Sequence, residues 1–221
     1  MSVDLTTTYL GLSLRAPLVA SSSPLTGKLD SLQRLEDAGV GAVVLPSLFE
    51  EEIEHEELQT ANLLDFGAHG YGEALDYFPN LPDYGVGADR HLELIRWAKE
   101  KLSIPVIGSL NGTTPGGWLD YATQMEEAGA DALELNIYWL PTDPALDGPA
   151  VEARYIELVT TVKEAIGIPL AVKVGPYFSS MAHMAKELQA AGADGLVLFN
   201  RFLQPELDLE SFDVQSKVSL S

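Results

Sequence analysis

The sequence predicts an α/β fold of the (β/α)8 TIM-barrel type, incomplete at about six of eight βα units and preceded by a β-hairpin. Three observations point there. Short aliphatic runs, too apolar to be half-exposed strands, alternate with amphipathic stretches of helical length. A block repeats: IPVIGSL, a helix and AGADALEL return sixty-four residues later, from Ile104 to Ile168, as IPLAVKV, a helix and AGADGLVL. Two of the runs, 132–138 and 169–174, carry near their C-terminal ends residues that a core would not choose, Asn136 and Lys173. A parallel α/β fold places its ligand at that end of its strands. A doubly wound sheet is the alternative, and the repeated half-unit with its leading hairpin favours the barrel.

In chain order, residues 4–14 alternate Thr, Tyr and Leu around Gly11, the pattern of a small hairpin. PLVAS (17–21) is the first buried strand. After a Ser-rich turn, Asp30 is placed to cap a helix over 31–38, with Leu32 and Leu35 on its apolar stripe. AGVGAVVLPS forms the second strand. The acidic run 49–58 reads as a solvated helix face, and the Gly-, Tyr- and Pro-rich stretch after it, above all 74–82, as a candidate cover for a site.

Order returns with an amphipathic helix over 91–102 and IPVIGSL as the third strand. The Gly-rich loop 111–117 leads into a helix over 119–128, and ALELNIY is the fourth strand. A helix over 150–166 precedes IPLAVKV, the fifth; a helix over 181–191 precedes AGADGLVLFNRF, the sixth. The tail after Phe202 alternates weakly and has no room for two more βα units, so 1–221 is expected to be one partial, C-terminally truncated barrel domain.

Composition narrows the function. With 221 residues and a net charge of −20, nucleic acid and anionic membranes are excluded as partners by long-range repulsion. The absence of cysteine removes thiol chemistry and cysteine-rich zinc sites, and the four histidines have no metal-ligand spacing. With neither a leader pattern nor a membrane-length apolar run, a cytoplasmic protein acting on a small molecule is expected.

Lys173 is the sharpest candidate. An ammonium beside a parallel core requires a ligand or a carboxylate, and Glu134 on the neighbouring strand is the structural alternative to a ligand. Asn136 and Asn200, also at strand ends, could each address a planar heterocycle through both amide functions, or cap the loop that follows. Backbone N–H groups in the loop after Asn111 could meet an anion. GVG at 85–87 lacks the flanks of a dinucleotide fingerprint.

The succession PLVASSSPLT, AVVLPS, SLNGTTPGGW, LELNIYWLPTDP, AVKVGPYF and VLFNRF resembles the class 1 dihydroorotate dehydrogenases, and more closely the dihydroorotate dehydrogenase-like group, over essentially the whole chain. The resemblance implies an FMN-containing barrel of pyrimidine biosynthesis that oxidises a dihydropyrimidine at its CH–CH bond. It implies that Ala20 and Ser21 lie along the flavin edge and that Asn136 contacts flavin or pyrimidine. It places Lys173 at the flavin N1–C2=O edge, and Asn111 and Asn200 among the pyrimidine-binding residues. Trp139 stands where that family has its Cys or Ser base, Pro46 stands where it has a Lys, and its phosphate-binding loops follow strands seven and eight. A Schiff-base lyase using Lys173, and a non-catalytic remnant assembling through exposed barrel edges as a homo-oligomer, are the other readings.

Overall fold

The computed structural model describes residues 3–49, 88–112, 116, 119–139, 141–200, 205–207 and 214–216. Its first element is an antiparallel pair, β1 (Thr7–Tyr9) and β2 (Leu12–Leu14), with Tyr9 opposite Leu12. Leu10 and Gly11 take φ of 53° and 75°, the left-handed pair that a two-residue hairpin turn requires. Leucine is an uncommon choice there, and burial of its side chain offsets the local strain.

Next come β3 (Val19–Ala20), a 3-10 turn (Pro24–Gly27), α1 (Leu29–Asp37), β4 (Ala42–Val44) and β5 (Leu48–Phe49). Then follow α2 (Ala88–Lys101), β6 (Val106–Asn111), α3 (Leu119–Glu127), β7 (Ala132–Asn136), α4 (Gly148–Ala165), β8 (Leu170–Val174), α5 (Met181–Ala190) and β9 (Gly195–Leu198). A short antiparallel pair, β10 (Pro205–Leu207) with β11 (Val214–Ser216), ends the described chain where the tail shows only weak alternation.

The strands β3-β4-β6-β7-β8-β9 lie side by side in chain order, all parallel, with β5 pairing beside β6. A doubly wound sheet reverses direction at a switch point, and this one never does. The result is a curled partial barrel: helices cover one face, and the other turns inward. Strand alternation sorts the side chains. Val43, Val106, Leu110, Leu133, Leu135, Leu170, Val172 and Val174 pack outward against helix residues such as Ile95, Met125, Leu158 and Leu188. Ala42, Val44, Ile107, Ala132 and Ala171 face inward, where the hairpin's Leu10 and Leu14 pack against them and fill the space the three alanines leave. The hairpin therefore plugs the interior as well as preceding the fold. A Cβ on Gly195 would lie 2.5 Å from Leu10 Cδ2, so a side chain at the start of β9 would push the hairpin leucine aside.

The repeated A-G-A-D turn has a physical explanation. Gly39, Gly129 and Gly192 each follow a helix with φ near 100° (98°, 100° and 109°). In each case the N–H of the next residue reaches back to a carbonyl of the helix: Val40 to Leu35, Ala130 to Met125, and Ala193 to Leu188. The aspartate then clamps the preceding strand. Asp131 accepts from the Val106 N–H at 2.7 Å and from Lys99 at 2.7 Å; Asp194 accepts from the Leu170 N–H and from Lys163, both at 2.8 Å. In the first unit Gly41 stands in place of the aspartate, because a Cβ there would collide with the Ala16 carbonyl.

Boundaries moved in places. Lys28, not Asp30, occupies the N-cap of α1, and Asp30 sits within the first turn, where its charge favours the helix start. The sixth strand stops at Leu198, short of Phe202. The acidic run beyond Phe49, the candidate cover 74–82, the GVG stretch, His55, His69 and most of the Gly-rich loop lie outside the described residues. No described helix is long and apolar enough to cross a membrane, and among the described residues no cluster of His, Asp or Glu could hold a metal.

Candidate functional site

Two successive inward rows near the C-terminal ends of the strands carry the polar residues. Strand register aligns Ser109, Glu134, Ala171 and Gly195 in the lower row and Asn111, Asn136, Lys173 and Val197 in the upper. The sequence places a polar or charged residue at alternate positions of otherwise aliphatic strands, and period-two geometry delivers all of them to one side. Asn136 and Lys173 thus share one rim, and Asn111, read from the sequence as the start of a loop, joins them as the last residue of β6.

Asn200 joins them from just beyond β9. Its N–H bonds the Val174 carbonyl at 2.8 Å, and its Nδ2 donates to Asn136 Oδ1 at 2.5 Å. The two carboxamides are therefore partners, and Asn136 Nδ2 and Asn200 Oδ1 keep their capacity for a ligand.

Lys173 reaches one row down. Its Nζ stands 3.4 Å from Glu134 Oε1, its only partner among the described residues, so the ion pair weighed as the alternative to a ligand is present. The pair is dry, with side-chain exposures of 16% and 6%. It is also long for a charge-assisted bond, which settles at about 2.7–2.9 Å. The ammonium keeps further protons for another acceptor on the same rim. Burial pushes the Glu134 carboxyl above the ordinary range, with the Lys173 charge pulling it back. Tyr9 of the hairpin feels both its own burial and the Glu134 charge, and its phenol is raised.

The flavin-edge pair divides. Ser21, itself exposed, lines a solvent-open cavity of about 380 Å³ together with Tyr9, Val19, Val44 and Glu134. The Ala20 side chain packs outward against the helix-side core, so only its backbone could follow an interior ligand. A hydroxyl chain absent from the sequence reading links Ser22, Ser47 and the fully buried Ser109, with Ser47 Oγ 2.8 Å from Ser109 Oγ and 3.4 Å from Ser22 Oγ. Pro46 packs near Gly27.

Trp139 stands at the edge of an aromatic cavity of about 390 Å³ with Tyr155, Tyr177, Phe178 and Asn200. The Arg154 guanidinium stacks 4.2 Å over its ring, and the Tyr155 hydroxyl donates to its carbonyl at 3.3 Å. Tyr155 and Phe178 meet edge to face at 5.1 Å. An indole so held has no group able to take a proton from carbon. Tyr155 and Phe178 escaped the sequence reading because an aromatic on a helical stripe is first of all core; PYF directly after a strand was the available signal.

No family model matches the chain. Curated relatives do. The chain is 28% identical over 213 residues to the catalytic subunit of dihydroorotate dehydrogenase B (NAD(+)) of Thermoplasma acidophilum, which is 94% of this chain and 66% of that one. It is 29% identical over 210 residues to the same subunit of Methanosarcina mazei (92% and 63%) and 31% over 121 residues to that of a Geobacillus species (54% and 38%). The resemblance expected from LELN, VKV-PYF and the Asn after the sixth strand is borne out at modest identity. The chain spans 38% to 66% of the length of these three relatives.

Proposed function

We propose that this chain carries the ring-binding part of an FMN-dependent oxidoreductase of the dihydroorotate dehydrogenase type, acting on a CH–CH bond of a dihydropyrimidine-like small molecule. The supporting observation is the rim itself: a lysine in register with two mutually bonded carboxamides, facing inward at the C-terminal end of a singly wound parallel sheet. The donor set fits a flavin ring. Lys173 suits an edge that gains negative charge, and the free amide functions of Asn136 and Asn200 suit the alternating donors and acceptors of a flavin or pyrimidine.

When bound, FMN supplies the hydride-accepting chemistry. The protein's part is to orient and to stabilise charge. Lys173 and Asn136 hold the flavin, Asn111 and Asn200 the substrate ring, and Ser21 with the Ala20 backbone the flavin's edge. Trp139, Tyr155 and Phe178 keep water away. Trp139 transfers no proton, so the proton leaving the substrate goes to a group other than the residue at this position.

The Schiff-base reading has less support. A carbinolamine needs a free amine, and Lys173 is half of an ion pair. FMN titration of the purified protein, followed by flavin absorbance and fluorescence, is the test. Saturable binding that Lys173→Met weakens about tenfold or more supports the reading, that being the weight of one charge-assisted hydrogen bond. A protein that ignores FMN, or borohydride trapping of a keto acid on Lys173, would sink it.

A further inference from the structure

The sequence alternatives set Lys173 against either a ligand or Glu134. The geometry has Glu134 as the partner and a rim of carboxamides in the row above it. Glu134 is 4% exposed, in the row beneath the rim, and its one charged neighbour among the described residues is Lys173 on β8. From the hairpin side the titratable group facing it is Tyr9, whose phenol is raised and so neutral around pH 7. Neither Ser109 nor Ala171, its neighbours in register, brings charge. Glu134 thus has a single counter-ion, held at 3.4 Å, on a lysine whose stem is long enough to reach either row.

We propose that Glu134 is a positioning residue for Lys173: it holds the ammonium in the lower row until an anionic or electron-rich ring edge on the rim draws it away, and it then takes up a proton. The inference rests on the ring-binding reading above. Two negative groups competing for one ammonium cannot both be satisfied at full strength. Once the lysine leaves, burial is what remains to act on Glu134, and burial favours the neutral acid. The step is Glu–COO⁻ plus a solvent proton giving Glu–COOH. The cavity that Glu134 lines is largely apolar, but Thr7, Thr8 and Ser21 on its wall are exposed, so it opens to solvent and a proton can reach the carboxylate through water. Ligand binding becomes proton-linked, and the charge of the barrel interior stays constant as the ammonium rises.

The experiment is calorimetric titration of the full chain with FMN near pH 7 in buffers of different ionisation enthalpy. Uptake of up to about one proton per FMN by the native protein is expected, with most of it lost in Glu134→Gln, since only the carboxylate can accept it. Equal uptake in both proteins, or none in the native protein despite saturable binding, overturns the inference and leaves the flavin reading standing. Should FMN fail to bind, the flavin reading falls, and the Glu134 carboxyl is followed instead by NMR titration of the ligand-free protein. Its midpoint should move upward in Lys173→Met and stay near the native value in Lys173→Arg. An unmoved midpoint in Lys173→Met overturns the inference.

Discussion

The two ends of the sheet handle the same chemistry, a lysine beside a carboxylate, in opposite ways. At the N-terminal end Lys99 meets Asp131 at 2.7 Å and Lys163 meets Asp194 at 2.8 Å, in positions about a third open to water. Each aspartate also binds a backbone N–H of the neighbouring strand. At the C-terminal end Lys173 and Glu134 are nearly dry, 3.4 Å apart, and have no backbone partner between them in the described chain. Short, wet and fully bonded contacts fix strand register and respond to little. A long, dry contact with capacity left over is poised to exchange partners.

The sharpest way to break this contrast is Lys173→Met. Removing one member of a buried pair costs about 3 kcal/mol, toward the lower end of the usual range because Glu134 can protonate. The loss should depend on pH. Glu134 has a folded pKa above its unfolded value, so its contribution is most favourable below about pH 4.5 and worsens as pH rises through the folded value. Urea unfolding at pH 4.5 and pH 8 should therefore show the variant closer to native at the lower pH.

Asp194→Asn probes the other end and should cost about 1–2 kcal/mol through a lost strand clamp. Here the sign reverses. Burial raises the Asp194 carboxyl, but its bonds from Lys163 and the Leu170 N–H outweigh that and leave it lowered, so its stabilisation is present above about pH 3.8 and lost as pH falls below. Native and variant stabilities should converge in acid, and FMN binding should be unchanged.

Asn200→Ala removes the amide pair and should cost about 1 kcal/mol by urea unfolding, with weaker ring binding beside it. Trp139→Phe keeps a ring beneath Arg154 and should cost about 0.5 kcal/mol, since phenyl attracts a cation less than indole. A far larger loss would mean that the indole carries more of the aromatic cavity than its stacking suggests.

Much of this contrast was legible before any coordinates. The A-G-A-D repeat marked the N-terminal clamps because a left-handed glycine and a strand-pinning aspartate leave fixed letters at fixed spacing. Asn136, Lys173 and Asn200 stood out because polar groups on aliphatic strands have few reasons to be there, and Glu134 was visible as the alternative partner. What escaped needed the third dimension. Whether Ala20 or its neighbours face inward depends on the phase of a two-residue strand, which no periodicity can set. β5 is equally short. Lys28 took the cap position expected of Asp30 because the 3-10 turn before it shifts the helix start. The hydroxyl chain from Ser22 to Ser109 joins three loops and strands whose separation in the chain hides it.

The plug formed by the hairpin bears on how the molecule is made. Leu10 lodges against Gly195, the opening residue of the sixth principal strand, so the hairpin reaches its resting place only after nearly all of the described sheet that follows it exists to receive it. During synthesis on the ribosome the hairpin must wait, its leucines uncovered, while the sheet assembles strand by strand behind it. Closing so long a loop is slow, which makes docking of this segment the natural final event of folding and the interval before it the time of greatest exposure to aggregation.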